Sequence, residues 1–277
     1  MSKESSPRML GGYRALDLTD LDGALLGKYL GSMGVDVIKV EPPGGDPARQ
    51  TPPLDERAVG AGDGLVWQAR NAGKRSITCD LQSDDGRVLF LRLAAKADFV
   101  IESFSPGYMA SIGLGYEALH AANPRIVLTS LTPFGQFGPY AAFKGGEMII
   151  SAMGGVSAIT GDTDRPPIKE GPETLLYIAN LAALTGTMVA HHYRQMTGQG
   201  QHVDVSQQHV AAVRGQHTLF VWDLDKVRLV QRGVRAGPAS TVGMSYANPN
   251  RATWQCKDGY VFWNMSRRHL PGCARVG

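Results

Sequence analysis

Between Gly12 and Ser206, short apolar runs alternate with longer stretches of helical period. Ala15, Leu16 and Leu18 form the first run, broken by acids. A helical stretch from Leu21 to Met33 follows and closes at Gly34. Val35, Val37, Ile38 and Val40 make the second run, stopped by Pro42 and Pro43. Strand, helix, strand predicts a right-handed βαβ unit. The rhythm then repeats. Ile77, Cys79 and Leu81 alternate. Ser83 to Ala97 reads as a helix, with Ser83 as cap and Asp84 and Asp85 in the first turn, where the helix dipole favours acids. Val88, Leu89, Leu91, Leu93 and Ala94 supply its apolar face. Phe99 to Ile101 predicts a strand ending at Glu102, Tyr116 to Ala122 a short helix, and Arg125 to Thr129 another strand. Such a succession predicts an α/β protein built on a parallel sheet, with ligands bound outside the carboxyl ends of its strands.

The longest helix expected runs from Leu175 to Met196 and is rich in Ala and Leu. His191 and His192 read as charges at its C-terminal end. Gly198 and Gly200 stop it, and QHVDVS (Gln201 to Ser206) predicts a strand with Val203 and Val205 on one face. His202 and Asp204 share the other face and read as a structural pair. Beyond Ser206 a helical stretch runs toward Leu224, then a polar, basic, glycine-containing crossover. TWQCKDGYVFWN (Thr253 to Asn264) predicts a hairpin around Lys257, Asp258 and Gly259.

Three irregular segments leave strand ends. Glu41 to Asp63, rich in Pro, Gly and Asp, predicts a long functional loop. NAGKRS (Asn71 to Ser76) places Lys74 and Arg75 side by side in a turn, suited to phosphate beside a crevice. The loop after Thr129 is punctuated by Gly135, Gly138 and Pro139, whose backbone freedom suits close approach to a ligand. It is neither a dinucleotide fingerprint nor a phosphate-binding P-loop.

Composition narrows the classes. The 277 residues are 43% hydrophobic, enough for a large core and more than one usual domain. A net charge of +3 points away from a nucleic-acid partner. Three cysteines without ligand spacing point to neither a metal site nor a disulfide framework. The N-terminus has no signal-like apolar core, and no stretch reaches the ~18 consecutive apolar residues of a membrane span, so the expectation is a soluble cytoplasmic protein without a membrane partner.

Several longer stretches carry a specific resemblance: GVDVIKVEPPGGDPAR (Gly34 to Arg49), NAGKRSITCDL (Asn71 to Leu81), ADFVIESFSPG (Ala97 to Gly107), NPRIVLTSLTPFGQFGPY (Asn123 to Tyr140) and TGQGQHVDVS (Thr197 to Ser206). In order and spacing the chain resembles the class III CoA-transferases, the group of formyl-CoA transferase, carnitine CoA-transferase and alpha-methylacyl-CoA racemase. The resemblance implies a large Rossmann-like domain (1–225) followed by a linker and the start of a smaller α/β domain (226–277). It also implies a C-terminally shortened chain, because family members return to the large domain. In this family two chains interlock as a dimer, and an enzyme carboxylate forms an anhydride and then a CoA thioester. Coenzyme A and acyl-CoA are then substrates, with no tightly bound cofactor.

By the same resemblance Glu41, Lys74, Arg75, Gln136, Gly138 and Tyr140 match positions of a CoA groove, with the phosphates near Lys74 and Arg75. The family's nucleophilic aspartate falls at Leu176. Glu173, three residues earlier, is the nearest carboxylate and stands as the candidate catalytic residue by helical spacing. Asp22, Gly23 and Ala24 replace the family's Ala-Gly-Pro turn, and Ser105 replaces an arginine. The pattern resembles the non-catalytic subunit of the benzylsuccinate CoA-transferase type. The expected activity is CoA transfer between an acyl-CoA and a carboxylic acid, by a homodimer or by a heteromer with a homologous catalytic chain. The alternatives are a non-enzymatic acyl-CoA-binding or scaffold protein and, last, a racemase-like enzyme.

Overall fold

A computed structural model describes residues 8–54, 64–161, 164–171, 173–231 and 251–264. The elements run β1 (Arg14–Leu18), α1 (Ala24–Ser32), β2 (Asp36–Glu41), α2 (Leu65–Asn71), β3 (Arg75–Thr78), α3 (Asp84–Ala94), β4 (Phe99–Glu102), α4 (Tyr108–Ser111), α5 (Tyr116–Ala122) and β5 (Val127–Thr132). They continue with α6 (Glu147–Met153), α7 (Thr174–Thr197), β6 (His202–Ser206), α8 (Gln207–Arg214), α9 (Gln216–Asp225), β7 (Arg251–Cys256) and β8 (Gly259–Asn264).

The chain divides into two compact units, 1–150 with 173–210, and 151–172 with 211–277. This cut differs from the boundary expected at 225/226, since 151–172 and the residues from 211 belong with the hairpin.

The first unit holds six strands in the order β3-β2-β1-β4-β5-β6, every pair parallel. Strand order reverses between β1 and β4, which opens a crevice at the carboxyl ends there. Both faces are covered, as a parallel sheet requires. Leu16, Leu18, Ile38, Val40, Val100 and Leu128 pack on one face with Phe90, Leu114 and Leu119 from the segments that follow β3 and β4. Ala15, Val37, Phe99, Ile101, Val127 and Leu131 pack on the other with Leu26 and Leu30 of α1 and Ala179, Ala183 and Ala190 of α7. By length and composition α7 is apolar enough to cross a membrane. Here Leu176, Ala179, Ala183, Thr187 and Ala190 make its buried stripe, and the stripe belongs to the core of the sheet's second face.

Local chemistry sets several boundaries. Ser83 Oγ accepts the Gly86 amide at 3.1 Å and caps α3 as expected. Helix α1 starts at Ala24, later than Leu21, because Asp17 and Asp20 fold the intervening residues into a turn: Asp17 Oδ1 accepts the Thr19 amide (2.9 Å) and Asp20 Oδ1 the Gly23 amide (3.0 Å). The short helices α2 and α4 lack a pattern that predicts them. His191 is not an end charge. It packs edge-on against Tyr13, 4.7 Å between centroids, and accepts from Arg194 at Nδ1 (2.7 Å); burial and the Arg194 guanidinium hold it below the usual histidine range.

The helical stretch after Ser206 breaks at Gly215 into α8 and α9. The hairpin forms as expected, pairing Trp254 with Val261 and Cys256 with Gly259.

Candidate functional site

Polar side chains collect where the strands end. On the α1 face, Asp17 is fully buried at the end of β1. Its Oδ2 accepts from Lys74 Nζ at 2.6 Å, its Oδ1 from the Thr19 hydroxyl at 2.6 Å, and Lys39 Nζ lies 3.7 Å away. Burial alone would raise this carboxyl. The ammoniums of Lys39 and Lys74 more than offset that and hold it below the ordinary range. The pair fills space that α1 would otherwise need. A Cβ at Gly27 would stand 2.2 Å from Asp17 Oδ2, so only glycine fits there.

Beside it lies the turn from β1 to α1. Buried Arg70 of α2 donates from Nη1 to Leu21 O at 2.8 Å, lies 3.7 Å from Asp22 Oδ1, and approaches Glu173 Oε2 to 2.5 Å. Burial pushes the Asp22 carboxyl up, and Asp20, Glu173 and Glu147 add to this against the pull of Arg70. One guanidinium thus serves two carboxylates, those of Asp22 and Glu173. Glu173 is 39% exposed at its side chain and accessible to a ligand. It does not share a helical face with Leu176, however. It is the N-cap of α7 in the left-handed conformation (φ 61°), and the helix begins only at Thr174. Leu176, 5% exposed, turns into the core. One turn further, Asn180 reaches back. Its Oδ1 accepts the Leu26 amide (2.9 Å), and its Nδ2 donates to Asp22 O (2.7 Å) and Leu176 O (2.8 Å). Helix α1 has no side-chain cap of its own, so α7 supplies one.

On the opposite face Glu102 ends β4, in register with Ser130 of β5, which is in register with Asp204 of β6. Glu102 Oε2 accepts the Phe104 amide at 2.7 Å, and the Ser130 hydroxyl bonds both Glu102 and His202 Nε2, the latter at 2.8 Å. Tyr116 stacks on His202. Burial, with Asp204 and Asp20 nearby, pushes Glu102 up to about 7 against the lowering by its hydrogen bonds to Ser130 and Phe104. Asp204 Oδ2 accepts the Gln136 amide at 2.9 Å and so anchors the loop after β5. Gly135 there has φ 85°, and a Cβ would crowd Asp204 at 3.3 Å. His202 and Asp204 share a face as expected, but each bonds a different partner.

The sequence-selected residues separate. Glu41, at the end of β2, accepts two bonds from Arg49, both 2.7 Å, plus the Asp46 amide and the Ser76 hydroxyl. The Arg49 bonds lead in holding its carboxyl down to about 2. It pins the loop after β2, and Arg49 lies over Trp67, 3.7 Å from the ring centre. Lys74 spends its three protons on Asp17, Ala24 O and Asn71 Oδ1. Arg75 does not join it. Opening β3, Arg75 sits at the amino end of the sheet and forms a two-pronged pair with Asp36 (2.8 and 2.6 Å). Neighbours in sequence thus serve opposite ends of the sheet. Gln136, Gly138 and Tyr140 stay together in the loop after β5. Gln136 Nε2 is buried without a hydrogen-bond partner, Gly138 has φ 98° with open space around it, and Tyr140 packs on Phe134 and Phe143. Sequence reasoning did not single out Arg70, Asn180, Glu102 or Asp204 as site residues. For Glu102 a signal existed, an acid closing an all-apolar strand.

Among the described residues, no group of three or more His, Cys, Asp or Glu side chains could hold a metal ion. A model of CoA-transferase family III matches residues 10–272. The succinyl-CoA–D-citramalate CoA-transferase of Chloroflexus aurantiacus is 43% identical over 207 residues, 74% of this chain and 50% of that protein. The BbsE subunit of succinyl-CoA:(R)-benzylsuccinate CoA-transferase from Thauera aromatica is 34% identical over 249 residues, 90% of this chain and 58% of that one. The crystal structure of a CAIB/BAIF family protein from Brucella suis superposes with a TM-score of 0.83 at 33% identity, over 92% of this chain and 65% of that chain. The chain spans about half the length of the curated relatives it matches.

Proposed function

Because the chain belongs to CoA-transferase family III, we propose that it takes part in moving CoA between an acyl-CoA thioester and a carboxylic acid, as the partner of a homologous chain that carries the nucleophilic aspartate. One observation carries the second half of this reading. The position the resemblance assigns to that aspartate is Leu176, a buried apolar side chain of α7. The similarity to BbsE and to the alpha and beta subunits of succinyl-CoA–L-malate CoA-transferase supports a heteromer.

In such an assembly the carboxyl end of β1, β4 and β5 is the surface offered to the thioester. The loop 133–140 presents the open backbone at Gly138 and the exposed ring of Tyr140. Coenzyme A enters and leaves as substrate. The competing reading has Glu173 act itself. Its carboxylate is reachable from solvent and held by Arg70, so it would attack the thioester carbonyl, expel CoA as the thiolate and become acylated.

Incubation with succinyl-CoA, trapping with hydroxylamine and mass analysis of the peptide Gly171 to Met188 separates the two. On the partner reading that peptide stays unmodified, and CoA exchange appears only when a homologous catalytic chain is added. A CoA or hydroxamate adduct on Glu173 would overturn it.

A further inference from the structure

Arg70 is a buried cation, 3% exposed, with two solvent-facing acids over it, Glu173 and Asp22. Its Nη1 donates to Leu21 O. Its Nη2 is used less well. It is buried without a hydrogen-bond partner, and Glu173 Oε2, 2.5 Å away, meets it as an ion pair off the N–H directions. A guanidinium offers a carboxylate aligned, charge-assisted N–H bonds, and on Nη2 that capacity goes unused. The backbone under Glu173 is strained as well. Glu173 is the N-cap of α7 at φ 61° and ψ 16°, left-handed, where N-caps ordinarily lie in the β region. Such strain persists only where surrounding contacts hold it, and the ion pair to Arg70 is a contact of that kind. The same spot is the N-terminus of a 24-residue helix, whose amides and dipole favour a negative group. One of those amides, that of Leu175, is already taken by Glu147 Oε1 at 3.1 Å. A buried guanidinium and the start of a long helix thus make an anion site, and the chain's own carboxylates fill it.

We infer that Arg70 forms a binding site for a small carboxylate and that Glu173 is the internal carboxylate that keeps it closed. An external anion added on top of Glu173 would face three negative groups: Glu173 itself, Asp22 at 3.7 Å from the guanidinium, and Glu147 at the helix terminus. An anion that takes the place of Glu173 leaves the charge count unchanged. Occupation is therefore an exchange of one carboxylate for another, with no covalent bond made or broken. The inference rests on the CoA-transfer reading and deepens it: a chain whose carboxylate site is filled from within leaves the acid co-substrate to its partner.

Glu173→Gly removes the internal carboxylate and suits the left-handed backbone, so the variant is expected to fold with an unfolding midpoint at or above that of the parent. Calorimetric titration with succinate is expected to show binding about tenfold or more tighter in Glu173→Gly than in the parent, the effect of one charge-assisted hydrogen bond. Arg70→Met added to Glu173→Gly abolishes the gain. If loss of the buried cation unfolds the protein, Arg70→Lys takes its place; it keeps the charge, lacks the planar fork and loses most of the gain. A folded Glu173→Gly that binds succinate no more tightly than the parent overturns the inference, and so does a gain that survives intact in either Arg70 variant. Absence of CoA exchange with a homologous catalytic chain would instead refute the proposed function, while the succinate titration would still decide the role of Glu173.

Discussion

Replacing Asn180 with alanine tests whether α7 holds the start of α1. The side chain is fully buried and makes three hydrogen bonds, to Leu26 N, Asp22 O and Leu176 O. The Leu26 amide also bonds Gly23 O at 3.1 Å, so no donor is orphaned outright. Each lost bond then counts at about 1 kcal/mol, and the substitution is expected to cost about 3 kcal/mol. Urea unfolding at neutral pH measures it, read as a shift in midpoint at unchanged slope. Asn180→Asp sharpens the test. A carboxylate keeps the acceptor for Leu26 but sets a charge against the carbonyl oxygens of Asp22 and Leu176. Its cost should equal or exceed that of alanine at neutral pH and shrink on acidification, when the protonated acid donates again. A loss below about 1 kcal/mol for alanine, with no pH dependence for aspartate, would refute the reasoning.

Three further predictions follow from the carboxyl ends of the strands. Gly27→Ala should destabilise by about 2 kcal/mol, although alanine favours a helix by about 1 kcal/mol, because its Cβ meets Asp17; thermal unfolding gives the sign at once. Glu41, held at about 2 against an ordinary 4.5, contributes about 3 kcal/mol above pH 4.5 that is lost as pH falls toward 2. Glu41→Gln should therefore be less stable at pH 6 and converge with the parent in acid unfolding experiments. Glu102, raised from 4.5 to about 7, acts with the opposite sign: the stability its protonated form secures below pH 4.5 is lost as pH rises through 7. Glu102→Gln should match the parent near pH 4.5 and exceed it by about 3 kcal/mol above pH 7 in denaturant titrations.

The strand–helix alternation of Ala15 to Val40 and its repeats was legible, because burial on both faces of a parallel sheet demands near-continuous apolar runs. Ser83 could be read as a cap because a cap acts within a few residues of itself. The limits of α1 were less legible. Its first turn is closed by Asn180, a residue 154 positions away from Leu26, and no local pattern encodes such a partner. The same holds for Glu173, whose spacing from Leu176 suggested one helical face. A left-handed backbone at 173 places it before the helix, outside the periodicity that spacing arguments assume.

By itself, then, the sequence determined the order of the strands, most of the longer helices between them, and the family. It also determined the absence of a carboxylate at position 176 and the loop that gathers Gln136, Gly138 and Tyr140. Periodicity and turn chemistry act over a few residues, and a linear chain displays them openly. Only the tertiary structure decided which charges meet. Lys74 turned inward to Asp17 while Arg75 turned to Asp36 at the far end of the sheet. Glu102 and Asp17, both acids closing buried strands, received opposite electrostatic surroundings. Charge is set by what lies a few ångströms away in space, and strand order brings those neighbours from distant parts of the chain.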